Sequence, residues 1–271
     1  MDILNRLPED RFEAIDDLLA FISIYDDEER TRRYFELFEA HRSDIAGKVC
    51  VELGCGLGLM SEKLARLGAR RVYAVERNPH LFALAQKRLA AHENVVLVHA
   101  DARQFVPPEP VDVLVHEFYG QLLYDEELHL LDGLGWQPRL VLPDGGKLRG
   151  GLVWAEAMAD EVVTPEVVRQ LEGALVSGLF DEEGLPLQFD VLEWRFGQGL
   201  QVPEFVSLEG RSGDLLYLGL EVQHDGQPVC QAGICANWSY AWTWRAADRF
   251  RLWFEPGERA PEALFEWLTP A

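Results

Sequence analysis

The chain has 271 residues, of which 48% are hydrophobic and 26% charged, and its 46 acidic against 25 basic side chains give a formal net charge of −21. This composition is typical of a globular protein with a full hydrophobic core, and the absence of a basic stripe argues against nucleic acid as a partner. The sequence has no run of eighteen apolar residues, so it predicts no membrane span. Its acidic start lacks the layout of a signal peptide, and the sequence therefore favours a cytoplasmic protein without a membrane partner.

Residues 1–46 carry apolar side chains at helical spacing and are predicted to form an N-terminal helical segment. From residue 48 onward, short runs rich in β-branched residues alternate with helical segments. Gly68 is placed to end one of these helices, and Pro79 to open another at its first turn. This alternation predicts a doubly wound parallel sheet of the α/β class, a Rossmann-like domain. The four predicted strands are Val49–Leu53, Arg71–Glu76, Val95–Ala100 and Val111–Glu117.

The pattern changes between Leu142 and Leu152, where short alternating runs and turn signals begin. The second half therefore predicts an antiparallel β-barrel or sandwich. A stretch from Thr164 to Phe180 reads as helical and is a candidate connector or dimerisation arm. We expect three parts: a helical segment over residues 1–46, a Rossmann-like domain over 47–146 and a β-rich domain over 147–271.

The four cysteines fall in two pairs, Cys50 with Cys55 and Cys230 with Cys235, each pair five positions apart. Neither pair has CxxC spacing, and residues five apart in a strand point to opposite faces. We expect buried free thiols and no metal site.

The segment VELGCGLG joins the first predicted strand to the following helix. Its glycines allow the backbone to approach a ligand closely or to adopt a positive φ. A dinucleotide site would place the third glycine one residue later, so this GxGxG turn suits S-adenosylmethionine, which has no pyrophosphate. The alternative is a glycine turn without a ligand. The predicted cofactor-binding residues of the turn are Glu52, Gly54, Cys55, Gly56 and Gly58.

Two acids at the ends of the next strands support a cofactor site. Glu76 is placed to accept hydrogen bonds from both ribose hydroxyls. Asp101, followed by Ala102, ends the third strand, where an adenine edge would be read. The alternative is that these strand-end acids are unrelated to the glycine turn.

The segment HEFYGQLLYDE sets two carboxylates, Glu117 and Glu126, nine positions apart around an aromatic-glycine turn. Guanidinium is the cation whose forked geometry rewards two carboxylates. Two acids can hold it, localise its charge and align one nitrogen with a sulfonium methyl. The acidic composition favours such a cationic substrate, although it can equally serve solubility alone. The alternative for Glu126 is a place in the acidic first turn of a helix that starts near Asp125.

These motifs resemble the class I S-adenosylmethionine-dependent methyltransferases and, among them, the protein arginine methyltransferases. The segments GARRVYAVE, VDVLVHEFYGQLLYDEELHLL and LPDGG carry the resemblance. Glu117, Glu126 and Gly120 match the family's double-E hairpin, with Phe118 in place of the usual tryptophan. The resemblance implies that both glutamates are catalytic. It also implies that Arg30, in a Glu-Arg-Thr motif, clamps the carboxylate of the cofactor.

The resemblance covers residues 26–147 well and the second half only loosely. The segment Ala236-Asn237-Trp238 is similar to the family's T-H-W loop but has alanine and asparagine in place of threonine and histidine. The resemblance implies that Trp238 faces the acceptor together with Phe118 and Tyr119. The alternative for Trp238 is core packing. The family's tyrosine-rich N-terminal motif is not recognisable before Arg30. The resemblance implies an acceptor that is an arginine-bearing protein or small molecule, and a possible homodimer. Methylation of another metabolite and a non-catalytic cofactor-binding module remain open.

Overall fold

The computed structural model describes residues 8–180 and 184–269, which divide into two compact units. The first unit runs to Glu117 and includes Leu134–Leu142, whereas the second comprises Phe118–Gly133 and the chain from Pro143 onward. The chain therefore passes from one unit to the other inside the predicted carboxylate hairpin, directly after Glu117. No helix in these described ranges is both long and apolar enough to cross a membrane.

Three helices open the first unit, as the apolar periodicity predicts: α1 (Glu9–Asp26), α2 (Glu28–Ala40) and α3 (Arg42–Ile45). Asp27 separates α1 from α2 and caps α2, since its side chain accepts a hydrogen bond from the Arg30 amide at 2.8 Å. Arg30 and Tyr34 are four residues apart and both buried, so they lie on the inward face of α2. The cap therefore fixes the turn that carries Arg30.

A five-stranded parallel sheet follows, and it confirms the predicted Rossmann-like fold. Its strands and intervening helices are β1 (Val49–Leu53), α4 (Leu59–Arg66), β2 (Arg71–Glu76), α5 (Pro79–Leu89), β3 (Val95–His99), β4 (Val113–His116) and β5 (Leu140–Leu142). The strand order is β3-β2-β1-β4-β5, so the direction of winding reverses between β1 and β4. Every residue of β1 and β4 is buried. A reversal of this kind opens a crevice beyond the carboxyl ends of the two strands.

The second unit is built from antiparallel strands, as the alternating runs predict. Its elements are β6 (Gly145–Val153), α6 (Ala155–Met158), α7 (Pro165–Val168), β7 (Val176–Ser177), β8 (Phe189–Arg195), β9 (Gly199–Gln201), β10 (Val206–Ser207), β11 (Leu215–His224), β12 (Gln227–Gln231), β13 (Ala241–Trp244), β14 (Arg249–Glu255) and β15 (Glu262–Trp267). The larger sheet has the order β7-β13-β11-β6-β8-β9, with β12 on β11, and the smaller has the order β10-β14-β15. All ten residues of β11 are buried, which makes this strand the centre of the unit.

Two helices predicted in the second unit are wrong. The stretch from 164 to 180 contains only the single turn of α7, a 3-10 turn at Arg169–Leu171 and strand β7. Gly173 and Gly178 adopt positive φ there, which interrupts a helix. Near Asp125 the chain forms a 3-10 segment, Glu127–Gly133, instead of an α-helix.

Two-residue alternation from Trp238 to Trp244 would put four aromatic side chains on one face of a strand, but these residues do not lie in a single strand. Trp242 and Trp244 lie in β13, whereas Trp238 and Tyr240 precede it in irregular backbone. Trp242 is fully buried, and its ring centroid is 5.3 Å from that of Tyr217. Core packing therefore accounts for Trp242, the aromatic side chain of β13 that is fully buried.

Cys230 and Cys235 form a disulfide, so the prediction of free thiols is wrong for this pair and correct for the buried Cys50 and Cys55. The prediction assumed a continuous strand. Instead β12 ends at Gln231, and the Cys235 amide donates to the Gln231 carbonyl at 3.0 Å in a turn that folds the chain back. The turn brings together two side chains that a strand would have separated.

We expect non-reducing peptide mapping to recover one cross-linked pair, Cys230 with Cys235, while Cys50 and Cys55 are alkylated only after denaturation. Reduction should lower the free energy of unfolding by about 2 kcal/mol, because closing a short loop removes little chain entropy from the unfolded state. The double variant Cys230→Ser/Cys235→Ser is the control and should not respond to reductant. A different cysteine pairing would contradict the assignment.

Candidate functional site

The crevice at the reversal between β1 and β4 is the candidate site of the first unit. Leu53, the last residue of β1, pairs in register with His116, the last residue of β4. The glycine turn and Glu117 therefore leave the sheet side by side. In sheets of this order, ligands bind at this edge because loops diverge there and leave backbone groups facing outward.

The glycine turn has a backbone that side chains would not tolerate. Gly54, Gly56 and Gly58 all adopt positive φ, at 70°, 52° and 79°. A Cβ added to Gly56 would lie 2.1 Å from the ring of Phe21, well inside van der Waals contact. The neighbouring Cys55 is buried, and its amide donates to the Val75 carbonyl at 2.9 Å. The turn is therefore packed closely by neighbouring side chains at Gly56, whereas Gly54 is exposed.

Glu76 joins the glycine turn to the start of α5. Its Oε2 accepts a hydrogen bond from the Gly56 amide at 2.8 Å, and its Oε1 accepts one from the Asn78 amide at 2.7 Å. Burial raises the pKa of this carboxyl, and the two amide hydrogen bonds offset part of the rise. Each carboxylate oxygen has a second lone pair, so Glu76 retains the capacity to accept hydroxyl groups of a ligand.

Glu52 is buried at the end of β1 and accepts a hydrogen bond from the Ser61 hydroxyl of α4. Burial raises the pKa of Glu52 to about 8, and the hydrogen bonds to Ser61 only partly offset this. The site therefore holds a carboxyl group that is largely protonated at neutral pH. Ser61 was missed from the sequence, because only its place one turn into α4 brings it to Glu52.

We expect Glu52→Gln to gain stability relative to the wild type as the pH rises from about 5 to about 8.5. The folded-state pKa of Glu52 lies above its ordinary value, so its contribution to stability is complete below that ordinary value and is lost as the pH rises through the folded pKa. The relative gain should be on the order of a few kcal/mol in urea unfolding. Glu109→Gln is the control: Arg70 lowers the pKa of Glu109, so its difference from wild type should stay flat in this range. If the free energy of unfolding of Glu52→Gln and that of the wild type changed with pH in parallel, the raised pKa of Glu52 would be contradicted.

Arg30 and Glu117 form a buried ion pair in the same crevice. Arg30 is 2% exposed, and its Nη2 contacts Glu117 Oε2. Its Nη1 also donates to the Ile24 carbonyl at 3.3 Å, and its Cζ lies 5.9 Å from the centre of the Tyr34 ring. Burial raises the pKa of Glu117 to about 7, against the opposing effect of Arg30. The crevice therefore brings together a fixed cation and a carboxylate of perturbed acidity.

Two aromatic side chains of α1 lie over the glycine turn, although no tyrosine-rich motif is recognisable in the sequence. The ring of Phe21 packs on Gly56, and its centroid is 6.3 Å from that of Tyr25. Burial raises the pKa of the Tyr25 phenol, and the charge of Glu52 raises it further. The spacing of four residues on one helix face was the signal available in the sequence.

Asp101 lies just beyond β3, and its carboxylate binds Arg103 at 2.5 Å, which lowers the pKa of Asp101. The preceding Ala100 amide donates to the Glu76 carbonyl at 3.1 Å, so the chain before Asp101 runs beside Glu76. Ala102 is half-buried. Glu76 and Asp101 thus lie on the same edge of the sheet, as the sequence predicts for two strand ends.

The remaining predicted residues belong to the second unit, so Glu117 and Glu126 lie in different units. Phe118 and Tyr119 are buried, and the Tyr119 hydroxyl donates to the Gly145 carbonyl at 2.9 Å. The side chain of Glu126 is exposed. Trp238 is buried in the turn after the disulfide. These positions describe three packed aromatic residues and one exposed carboxylate.

The hairpin turn around Gly120 is tight. A Cβ on Gly120 would lie 2.1 Å from Asp125 Oδ1, which explains why glycine is required there. Asp125 Oδ1 accepts a hydrogen bond from the Leu122 amide at 2.8 Å. Gln121 Nε2 lies 3.2 Å from both the carbonyl and the hydroxyl oxygen of Ser239, next to Trp238. The hairpin is thereby connected to the Trp238 turn.

Comparison with known proteins identifies similar sequences for part of the chain. A family model of methyltransferase domains matches residues 50–131. The chain is 35% identical over 105 residues to a "Probable protein arginine N-methyltransferase 6" of Arabidopsis thaliana, covering 38% of this chain and 24% of that protein. It is 28% identical over 174 residues to a "Probable histone-arginine methyltransferase CARM1" of Oryza sativa subsp. indica, covering 62% and 33%. The chain thus spans about a quarter to a third of the length of these curated relatives.

Solved structures share the fold of both units. The structure of the "Trypanosoma brucei PRMT1 enzyme-prozyme heterotetrameric complex with AdoHcy" matches with a TM-score of 0.63 at 15% identity, covering 88% of each chain. A "Crystal structure of PRMT6-SAH" matches with a TM-score of 0.64 at 15% identity, covering 92% of this chain and 99% of that one. These comparisons confirm the predicted resemblance and the fold, including the C-terminal β-domain.

Proposed function

We propose that this chain, a class I methyltransferase of the protein arginine methyltransferase type, transfers a methyl group from S-adenosylmethionine to a guanidine nitrogen of arginine. The observation that carries the proposal is the buried Arg30–Glu117 pair beside the GxGxG turn. It places a cation suited to a carboxylate-bearing cofactor next to a carboxylate suited to a guanidinium.

The first unit has the groups that such a cofactor needs. Arg30 would bind its carboxylate, and the turn from Gly54 to Gly58, with Glu52 and Cys55 beside it, would receive its amino acid part through backbone contacts. Glu76 would accept the ribose hydroxyls, with Asp101 and Ala102 at the adenine. When bound, the cofactor supplies a sulfonium methyl group. The residues of this chain position the cofactor and the acceptor and provide the electrostatic field around the reacting atoms.

The acceptor is held, in this proposal, by Glu117 and Glu126. Because Arg30 contacts Oε2 of Glu117, Oε1 can accept a hydrogen bond from a guanidinium. An arriving cation would favour ionisation of Glu117, whose pKa of about 7 leaves it partly protonated. Two carboxylates draw the positive charge to one side of the guanidinium and leave the other nitrogen free to attack. We assign the main electrostatic grip to Glu126 and orientation, with proton acceptance, to Glu117. Phe118, Tyr119 and Trp238 would shape the walls around them.

The charge of the chain supports the proposed substrate class. A net charge of −21 raises the local concentration of cationic groups, which suits the proposed acceptor, an arginine-bearing protein or a small guanidine compound. We place the protein in the cytoplasm as part of this proposal. The expected domain boundaries after residues 46 and 146 are also part of this proposal.

Homodimer formation through the stretch from Thr164 to Phe180 is also proposed. Val167 of this stretch is 51% exposed, and Trp154 and Val162, which precede it in the chain, are 57% and 79% exposed. Mass photometry at working concentration tests this directly. A monomer would exclude the arm.

The experiment that tests the function is methyl transfer from labelled S-adenosylmethionine to an arginine-rich peptide and to free arginine. Label on the peptide alone indicates a protein acceptor, and label on free arginine indicates a metabolite. No label on either, with cofactor binding confirmed by calorimetry, would overturn guanidine methylation and leave another metabolite or a non-catalytic role. An arginine-to-lysine peptide is the matched control, because an ammonium cannot bind two carboxylates in the same planar fork.

A further inference from the structure

Tyr34 carries a buried hydroxyl group that has no part in holding the fold together. The residue is fully buried on the inward face of α2, and its hydroxyl oxygen has no hydrogen-bond partner among residues 8–180 and 184–269. A buried hydroxyl without a partner costs free energy, whereas phenylalanine would fill the same space without that cost. The hydroxyl is therefore suited to a state of the site in which an acceptor reaches it.

The ring of Tyr34 packs with Arg30 and Phe38 on one face of α2. Arg30 lies one helical turn before Tyr34 and Phe38 one turn after it, and all three residues are buried. The Arg30 Cζ is 5.9 Å from the centre of the Tyr34 ring, and the Phe38 ring meets it edge-on at 6.4 Å. A ring confined in a close-packed interior has few accessible rotamers, so the direction of its hydroxyl is restricted.

The Tyr34 hydroxyl lies within the electrostatic influence of the Arg30–Glu117 pair. Burial holds the pKa of the phenol well above its usual range, the charge of Glu117 raises it further and the charge of Arg30 lowers it. The phenol is therefore protonated at any working pH and is a hydrogen-bond donor beside these two charged groups.

Acids already outnumber the cation at this place. Arg30 contacts Glu117, and Asp27 accepts a hydrogen bond from the Arg30 amide at 2.8 Å. The charge of Asp27 is one of the effects that raise the pKa of Glu117. In the proposed function the carboxylate of the cofactor would bind Arg30 as well, so one guanidinium would be shared with a further anion. A neutral donor can then stabilise the Glu117 carboxylate without adding charge.

We propose that Tyr34 is a positioning residue for Glu117: when the carboxylate of S-adenosylmethionine binds Arg30, the Tyr34 hydroxyl donates a hydrogen bond to the Glu117 carboxylate. The hydroxyl replaces hydrogen bonding that Glu117 loses to the cofactor, and it holds this carboxylate in the crevice. This inference rests on the proposed function, in which Arg30 binds the cofactor and Glu117 binds the guanidinium.

Tyr34→Phe removes only the hydroxyl group and tests the inference by calorimetry. We expect the Kd of S-adenosylmethionine to rise about tenfold, because a hydrogen bond to a charged carboxylate is lost from the loaded site. The Kd of 5′-methylthioadenosine, which has the nucleoside of the cofactor but no carboxylate, should not change. In the Glu117→Gln background, Tyr34→Phe should raise the Kd of S-adenosylmethionine by no more than about threefold, because a neutral amide oxygen is a weaker acceptor than a carboxylate.

Urea unfolding without ligand separates this role from a structural one. The unfolding midpoint of Tyr34→Phe should be at least as high as that of the wild type, because the unloaded protein loses no hydrogen bond. Tyr217→Phe is the matched control. Tyr217 is also fully buried, but its hydroxyl donates to the Pro186 carbonyl at 2.6 Å in the second unit. Its loss should lower the midpoint and leave the Kd of S-adenosylmethionine unchanged.

Three results would overturn the inference. The first is a Kd of S-adenosylmethionine that Tyr34→Phe leaves unchanged or raises no more than that of 5′-methylthioadenosine. The second is an equal rise in the wild-type and Glu117→Gln backgrounds, which would show that the hydroxyl does not act through Glu117. The third is a midpoint lowered as far as in Tyr217→Phe. None of these measurements uses an acceptor. A wild type that binds the cofactor without methylating arginine would overturn the proposed function, while the affinities would still decide the role of Tyr34.

Discussion

Glu126→Gln is expected to lower kcat for methyl transfer by a factor on the order of 10²–10³, while the cofactor binds with unchanged affinity. The substitution keeps the shape of the side chain and removes the charge that would face the guanidinium. Because Glu126 is exposed, its loss should not change the free energy of unfolding, so the effect on activity reports on chemistry. Single-turnover rates with labelled cofactor are the measurement.

Glu127→Gln is the matched control for this prediction. It removes a carboxylate from the next residue, which begins the 3-10 segment Glu127–Gly133. If the general acidity of the hairpin were what attracts the substrate, both variants would raise KM alike and leave kcat in place. A Glu126→Gln enzyme within a few-fold of the wild type would remove Glu126 from the proposed mechanism.

The second large effect is expected for Arg30→Met, which should lower the free energy of unfolding by about 3–5 kcal/mol near neutral pH. Arg30 is almost completely buried against Glu117, so its removal leaves a buried carboxylate without its cation. The loss should shrink at about pH 5, where Glu117, with a folded pKa of about 7, is protonated and carries no charge to compensate. Urea unfolding at both pH values is the measurement. The same variant should lose cofactor binding.

Two further variants separate this prediction from general damage to the helix. Arg30→Met/Glu117→Gln should recover most of the lost stability, because removing both charges leaves neither buried alone. Arg32→Met removes an arginine of the same helix that is 52% exposed and paired with Glu29 and Glu36, and its unfolding midpoint should hardly move. If the double variant is no more stable than Arg30→Met, the loss reflects packing at Arg30 and the ion pair contributes little.

Both predictions depend on residues that the sequence could supply in part. Glu126 and Arg30 were found because they match motifs of a known family. Their surroundings were found only in the structure. The nine-residue spacing from Glu117 to Glu126 does not reveal that the chain changes units directly after Glu117, since a spacing records distance along the chain and carries no direction in space.

What the sequence determined by itself is local. The strands of the parallel sheet, the helices between them and the glycine turn follow from apolar periodicity, from Pro79 and Gly68 at helix ends, and from the backbone freedom of glycine. These features depend on residues a few positions apart, and a short window of sequence contains them.

Only the tertiary structure decided which distant side chains meet. The ion pair of Arg30 with Glu117 and the hydrogen bond from Trp194 to Asp132, 62 residues away, depend on how strands and helices pack. The disulfide of Cys230 with Cys235 depends on a single turn after β12 that the periodicity of apolar residues does not predict. Local preferences are weak where the chain leaves regular structure, and there the packing of the whole unit selects the conformation.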